Sequence, residues 1–510
     1  MKIFIFLLFV ISSIDLFGQI PPFKWVKKIP FEIVSQTTDS YDNIYITGSF
    51  SDTINFENIT LISNNNSIDI VVAKFDSSGS LIWYKLIGGS TDDYTADIKL
   101  DNNNDLILTA GFHSSIIIEG DTITATPFHN PLIAKLSSNG DLIWAKVPGY
   151  NETNCFHVFS SAIDHENNIL ISGNFYQGNG IFPDTIIPDT PNKTTWFIAK
   201  YNTNGNFQWV QTWISNHLFQ FTIDMSNNVL VVITDSIRKF SAVGDLLWEK
   251  KINVYLPNTD FWPKLTVDSL NNFYLAASYS DTLIVGDDTF ISKGYNDIIC
   301  LKYNPSGNPV WGISAGGPRN DSPHSIFIKK NRIIITGTFM DKIFFNDDSL
   351  AFSTMWKSNS FITEYDLAGN LKFAKKVGGK YGCSSNLVSI SKSIYLSGYG
   401  HDSTYFDNFC LTGSQYYYLS RLQSEILWEI EYPETFKIYP NPTQSTLTVN
   451  FNPVYKNVSF EIYDLQGKLI MRDDLNNYSN CINIGFLSKG LYLLKLKMDD
   501  NMICRKIEKL

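Results

Sequence analysis

VAKFDSSGSLIW (Val72–Trp83), IAKLSSNGDLIW (Ile133–Trp144), IAKYNTNGNFQW (Ile198–Trp209), IRKFSAVGDLLW (Ile237–Trp248), CLKYNPSGNPVW (Cys300–Trp311) and ITEYDLAGNLKF (Ile362–Phe373) are one segment repeated. Each reads as a hairpin: alternating apolar residues make a strand, Asp, Asn or Ser opens a turn, and Gly takes a positive φ. The Gly is always four residues before the aromatic, which packs from the returning strand. A seventh copy, SRLQSEILW, ends at Trp428 with a shortened turn and no Gly.

Working outward, a second hairpin precedes each copy, as in IKLDNNNDLILTAG (Ile98–Gly111), AIDHENNILISG (Ala162–Gly173), TIDMSNNVLVVI (Thr222–Ile233) and TVDSLNNFYLAA (Thr266–Ala277). Its turn uses Asn, which tolerates the left-handed conformation. Two hairpins make a four-stranded antiparallel sheet, with strands A to D in chain order. Such sheets cannot bury both faces alone, and stacking them radially gives a β-propeller. Seven blades fit, with six or eight open. PFKWVKKI (Pro22–Ile29) is an eighth D-like strand without a hairpin before it. It is expected to close the ring, either completing the last blade or lying beside the Trp428 strand.

Composition agrees with an all-β chain: 44% hydrophobic, 14% aromatic and 18% charged, with net charge -10. No Lys/Arg stripe is present, so nucleic acid is not an expected partner. MKIFIFLLFVISSIDLFG (residues 1–18) reads as a signal peptide, and no later stretch is long and apolar enough for a transmembrane helix. Of the six cysteines, Cys383–Cys410 and Cys481–Cys504 are the pairs expected to bridge, because each lies within one local unit.

The D-x-x-N-x-Y-x-x-G strand, the A-K-[FY]-[DN]-x-x-G-x-x-x-W hairpin and the following Gly-Gly (Gly88-Gly89, Gly316-Gly317, Gly378-Gly379) resemble the bacterial β-propeller repeat called SBBP. From Tyr432 the pattern changes to short strands that suit a small Ig-like antiparallel β-sandwich. Tyr439, Pro440, Asn441 and Pro442, then Leu447, Val449, Tyr463-Asp464, Gly467, Leu487, Gly490 and Tyr492, and a basic end with Arg505, Lys506 and Lys509 carry a second resemblance. They are similar to the type A sorting domain of the type IX (Por) secretion system of Bacteroidota. That resemblance implies export through the periplasm, a secretion-machinery partner, and release or surface attachment. The expected domains are a signal peptide (1–18), a propeller (19–430) and a sorting domain (431–510).

Chemistry is sparse. There is no P-loop, dinucleotide fingerprint, HExxH or GxSxG, and the seven histidines show no metal-ligand spacing. No catalytic residue and no resident metal is assigned. Asp101-Asn102-Asn103-Asn104-Asp105 places oxygens at alternate positions and could hold Ca²⁺, although the same turn recurs elsewhere with fewer acids. Asp-Asp pairs such as Asp92-Asp93, Asp287-Asp288 and Asp347-Asp348 read as solvated turns.

The A–B and C–D turns are short and alike, whereas the B–C connections are long in six blades. The face bearing B–C and D–A connections is therefore the expected working face. Trp262, Arg319, Asp321, His324 and Trp356 fall in those connections and are the ligand-face candidates, because aromatics beside polar groups suit glycan or protein recognition. The leading reading is a non-enzymatic binding or adhesion scaffold. Alternatives are a glycan-active enzyme with a site in the central funnel, and a purely structural surface protein.

Overall fold

Turn chemistry builds the blades. In the A–B turns Asp42, Asn104, Asn167, Asn227, Asn271 and Asn331 all take φ between 61° and 70°. In five of these turns an opening Asp locks the backbone: Asp101 Oδ1 accepts the N–H of Asn103 (2.8 Å) and of Asp105 (3.0 Å), and Asp39, Asp164, Asp224 and Asp268 repeat the pattern. In the C–D turns the six repeat glycines sit at φ 71° to 95°, a conformation costly for any residue with a Cβ.

The computed structural model describes residues 21–151, 155–215, 220–233, 236–252, 263–329, 331–345, 348–351, 357–379, 382–423, 436–439, 442–451, 458–464, 468–475, 479–498 and 501–510. The signal-peptide reading, Trp262, Trp356 and Trp428 lie outside these residues. The chain divides into two compact units, Met1–Glu425 and Ile426–Leu510.

In the first unit seven antiparallel sheets follow one another. With strands in the order A, B, C, D, blade 1 is Glu32–Thr38, Ile44–Phe50, Asp69–Phe75 and Leu81–Gly88. Blade 2 is Tyr94–Leu100, Leu106–Ile118, Asp121–Leu136 and Leu142–Lys146; blade 3 is Phe156–Ile163, Ile169–Tyr176, Thr194–Tyr201 and Phe207–Ile214. Blade 4 is Gln220–Ile223, Val229–Ile233, Ser236–Phe240 and Leu246–Lys251; blade 5 is Lys264–Val267, Phe273–Tyr279, Asp297–Tyr303 and Pro309–Gly316. Blade 6 is Asp321–Lys329, Arg332–Met340, Ser358–Asp366 and Leu371–Val377. Blade 7 takes A, B and C from Cys383–Ile390, Ile394–Phe406 and Phe409–Leu422, and its D strand from the other end of the chain, Phe23–Ile29. Each A strand touches the next, and that of blade 7 touches that of blade 1, so the cycle closes. Of the two closures expected, the first is found: Phe23–Ile29 pairs directly with Phe409–Leu422.

The repeated aromatic holds neighbouring blades together, and not only its own hairpin. Trp25, Trp83, Trp209 and Trp311 each donate Nε1–H to a C–D turn carbonyl of the next blade (Ser77, Ser138, Ala242 and Leu367, 3.0–3.2 Å). The ring lies beneath that turn's glycine. A Cβ on Gly205 would fall 2.9 Å from Trp144, and one on Gly79 3.1 Å from Trp25. Hence the repeat needs both residues: the glycine for its φ and for the close approach of the preceding Trp.

The Lys of A-K-[FY] is buried and paired with its own blade's turn Asp, as in Lys135–Asp101 (2.8 Å), Lys200–Asp164 (2.8 Å) and Lys239–Asp224 (2.7 Å). In blade 6 the charges are exchanged, with Glu364 bound to Arg332 (2.9 Å). Turn Asn side chains stitch the A–B turns of neighbouring blades together. Asn167, Asn227 and Asn271 accept the N–H of Asn102, His165 and Met225 in the preceding blade, and Asp42 does the same for Ser393.

The B–C connections are ordered rather than irregular. They form hairpins, such as Thr53–Phe56 with Ile59–Ile62 and Lys342–Phe345 with Asp348–Ala351. Several pair back onto the preceding D strand: Gly88 with Ile117, Gly316 with Phe344, Gly378 with Tyr405. This accounts for the Gly-Gly, because a Cβ on Gly89, Gly317 or Gly379 would strike a hairpin carbonyl within 2.2 Å.

The second unit pairs Phe436–Tyr439, Thr446–Phe451 and Ser479–Asn483 in one antiparallel sheet. Leu469–Asp474, Val458–Tyr463, Gly490–Met498 and Asn501–Lys509 form the other. Leu447, Val449, Phe460, Ile462, Leu494, Leu496 and Ile507 from both sheets share one buried core. Each such side chain stabilises by about 1.5–3 kcal/mol on burial.

Two further expectations are corrected. Cys383 is a buried free thiol and Cys410 an exposed one, so they do not bridge, and Cys481 is also free. Asp93 is fully buried and not a solvated turn residue, while Asp287, Asp288 and Asp348 are exposed as expected.

Candidate functional site

The A strands, innermost in the cycle, share an irregularity. Their pairing with the B strand slips by one residue at the same place in five blades, between Ile33 and Ser35, Thr95 and Asp97, Val158 and Ser160, Pro323 and Ser325, and Ser385 and Leu387. A β-bulge leaves the extra residue out of the ladder and re-aims it, which is why bulges cluster at functional sites. The described bulged side chains are Val34, Ala96, Phe159 and His324. Val34 is 37% and Phe159 42% exposed, both high for an inner strand.

Polar bonds between inner strands fix this mouth. Asp97 Oδ1 accepts from Ser35 Oγ (2.6 Å) in blade 1, and its Oδ2 accepts from Ser161 N (2.8 Å) and Oγ (3.1 Å) in blade 3. Lys99 Nζ also binds Asp97 Oδ1 at 2.6 Å. With both oxygens engaged, Asp97 joins three blades and is not a free acid or base. Gln36 Nε2 ties blade 1 to blade 7 through Ser389 Oγ (3.1 Å) and Tyr395 O (3.0 Å). In blade 5, burial holds the Lys264 ammonium below the usual lysine pKa.

At blades 2 and 3 the mouth becomes aromatic. Phe159 stacks on His157 (centroids 6.0 Å, planes 24° apart) and lies 5.6 Å from Trp196. His157 is 4.5 Å from His129, which is 5.1 Å from His113. Gly111 makes the bed for this ladder, since a Cβ there would fall 2.1 Å from the His129 ring. Burial, with the positive charge His157 and His113 would carry, brings His129 down to about 4, and burial likewise lowers His157. His129 and His157 are therefore neutral near pH 7. His129 Nδ1 bonds Phe156 O (3.3 Å) and His113 Nδ1 bonds Asp92 O (3.1 Å). Among the described residues no group of three or more His, Cys, Asp or Glu could hold a metal ion.

Of the residues singled out from sequence, the described ones, Arg319, Asp321 and His324, take different places. Arg319 lies in the D–A connection between blades 5 and 6, half-buried. His324 belongs to an A strand, not a connection, at the bulged position. It bonds Thr338 Oγ1 (3.2 Å) and Ser384 Oγ (3.4 Å). Asp321 is fully buried with Oδ2 accepting from Gly317 N (2.7 Å), so it cannot face a ligand. At Asp101–Asp105 the place of a cation is taken by Lys135, whose Nζ lies 2.8 Å from Asp101 Oδ2 and 3.1 Å from Asp105 Oδ2. Sequence reasoning missed the histidine ladder. His113 and His129 are directly opposite on paired strands, but only because the pairing slips by three residues between Thr124 and His129, which spacing about the turn does not reveal.

In the sorting motif, Pro442 is exposed, Gly490 begins a strand, and Tyr492 donates its hydroxyl to Ser488 O (2.9 Å). Lys509 pairs across strands with Gly490 and bridges Thr443. Pro440, Asn441 and Gly467 lie outside the described residues, as do the side chains of Tyr439 and Lys506.

Residues 437–509 match the family described as the secretion system C-terminal sorting domain. An uncharacterized WD repeat-containing protein of Acanthamoeba polyphaga mimivirus is 21% identical over 67% of this chain, which spans about a third (33%) of that protein. The WD40 domain of Neurospora crassa Pan2 aligns with TM-score 0.40 and 7% identity, over 77% of this chain and 92% of that one. The Dos1 propeller aligns with TM-score 0.39 and 9% identity, over 79% and 95%. Likenesses this distant add nothing to the closed cycle of strands, on which the fold assignment rests.

The class is thus an all-β propeller protein with a type IX sorting tail. That tail marks it as a secreted or cell-surface protein that engages the type IX secretion machinery. Among the described residues no helix is long and apolar enough to cross a membrane.

Proposed function

We propose that this is a non-enzymatic binding scaffold of the SBBP type from a member of Bacteroidota, which takes a neutral glycan at the mouth of the propeller channel. Residues 1–18 act as a signal peptide, 19–430 as the propeller and 431–510 as the sorting domain, with passage through the periplasm. One observation carries the binding reading: Phe159, set out of its ladder by a bulge, is 42% exposed and backed by His157 and Trp196. An exposed ring on a rigid support stacks against the C–H face of a sugar, and neutral imidazoles beside it can bond hydroxyls.

The enzyme reading needs carboxylates free to exchange protons in the funnel. Asp97, the buried carboxylate that joins the inner strands of blades 1 to 3, has both oxygens occupied, which favours binding over catalysis. A glycan array and a pull-down with the full chain test this, using Phe159→Ala and His157→Ala. Binding lost in both variants while melting temperature is kept supports the assignment. Binding that survives both removes it.

A further inference from the structure

Two seams of the propeller hold a feature the repeat does not require. At the start of the C strand of blade 1 stands Asp69, and at the start of the A strand of blade 2 stands Asp93; both are buried. They converge on one dipeptide. The Asp69 carboxyl covers Gly88, where a Cβ would fall 2.3 Å from Oδ1, and Asp93 Oδ2 accepts the Gly89 N–H at 2.6 Å. Blades 5 and 6 repeat this with Asp297 over Gly316 and Asp321 Oδ2 on Gly317 N–H at 2.7 Å. Asp93 Oδ1, Asp297 Oδ1 and Asp321 Oδ1 are buried and accept no hydrogen bond among the described residues. An orphaned carboxylate oxygen near a second buried carboxyl is costly unless one of the two is protonated.

The other seams supply an internal control. At two of these seams, whose A strands begin with Phe156 and Cys383, the position held elsewhere by Asp69 and Asp297, five residues before the repeat's Lys or Glu, is Asn: Asn130 and Asn359. Asn359 Oδ1 accepts the Gly379 N–H (2.9 Å), and burial raises the Cys383 thiol to about 11, so this seam carries no charge. At these four seams acid faces acid and neutral faces neutral.

We propose that the Asp69–Asp93 and Asp297–Asp321 seams each keep one of their two carboxyl groups protonated at neutral pH, and that ionising it loosens the seam. Burial, reinforced by the neighbouring carboxylate, holds Asp93 at about 7 and Asp321 at about 8. Asp92 and Tyr94 also face the first seam; Lys293 and Tyr279 face the second, with Lys293 opposing the rise. Because these folded-state values exceed those of an unfolded aspartate, the stabilisation is complete below about pH 4. It falls as pH rises through 7 to 8, and is level above.

The test compares the full chain with its Asp93→Asn/Asp321→Asn variant, which keeps the size of each side chain and an oxygen to accept the glycine N–H but removes the titrating group. Thermal unfolding is followed from pH 4 to 9, with infrared detection of the protonated carboxyl C=O band at pH 6. Relative to the variant, the wild-type midpoint should fall by on the order of 5 °C across this range and then stay level. The band should be present in wild type and missing from the variant. A pH-independent difference, or no band in wild type, overturns the proposal. So does a fall abolished by millimolar Ca²⁺ and restored by a chelator, which would make a cation the occupant.

Discussion

Replacing Trp25 by Ala attacks the one seam where the two ends of the propeller sequence meet. Trp25 lies on the strand that completes blade 7, and its ring sits 3.1–3.3 Å from where a Cβ of Gly79 in blade 1 would stand. Its Nε1–H donates to Ser77 O at 3.0 Å, and its ring centroid is 6.0 Å from that of Tyr395. Full burial would place Trp→Ala at about 3–5 kcal/mol. Trp25 is half-buried, which roughly halves the packing loss, and the hydrogen bond adds about 1 kcal/mol. The expected cost is therefore about 3 kcal/mol. Gly79→Ala should cost about 1–2 kcal/mol for its left-handed conformation alone, plus displacement of the Trp25 ring. Removing that ring relieves the second term, so the double variant must be less damaged than the sum. Urea unfolding of the two single variants and the double, read by circular dichroism, measures the coupling. Additivity within about 0.5 kcal/mol, or a Trp25→Ala variant as stable as wild type, would refute the reasoning about closure.

Two other outcomes follow from the same contacts. Lys135→Met should destabilise by about 3–5 kcal/mol in denaturant unfolding, because it leaves the buried Asp101 and the partly buried Asp105 without their counter-ion. Loss of residues 431–510 should leave a folded propeller inside the cell, since the described core of each unit draws on its own strands. Fractionation and immunoblotting of the truncated chain would show it, and normal appearance in the medium would count against the sorting role.

Much of this protein was legible without coordinates because its turns are local events. Asp or Asn opening a turn, Gly four residues before Trp, and alternating apolar positions each act within about a dozen residues, so the hairpins, the four-stranded unit and the tail could be read in order. What joins one blade to the next is not local. Trp83 meets Ser138, and Lys74 donates to the same carbonyl, only once two blades lie side by side. The role of the Trp, the ordered B–C hairpins, the ladder from His113 to Phe159 and the paired aspartates all depend on neighbours one blade away.

The candidate site shows the limit most clearly. By residue type and spacing Asp321 and His324 read as neighbours in one connection, yet a three-residue step along one strand takes the first into a sealed seam and the second to the bulged position. Sequence determined which hairpins form, because a turn's energy lies in its own backbone. Only the closed ring decided which side chains meet water, because exposure belongs to the space left between blades.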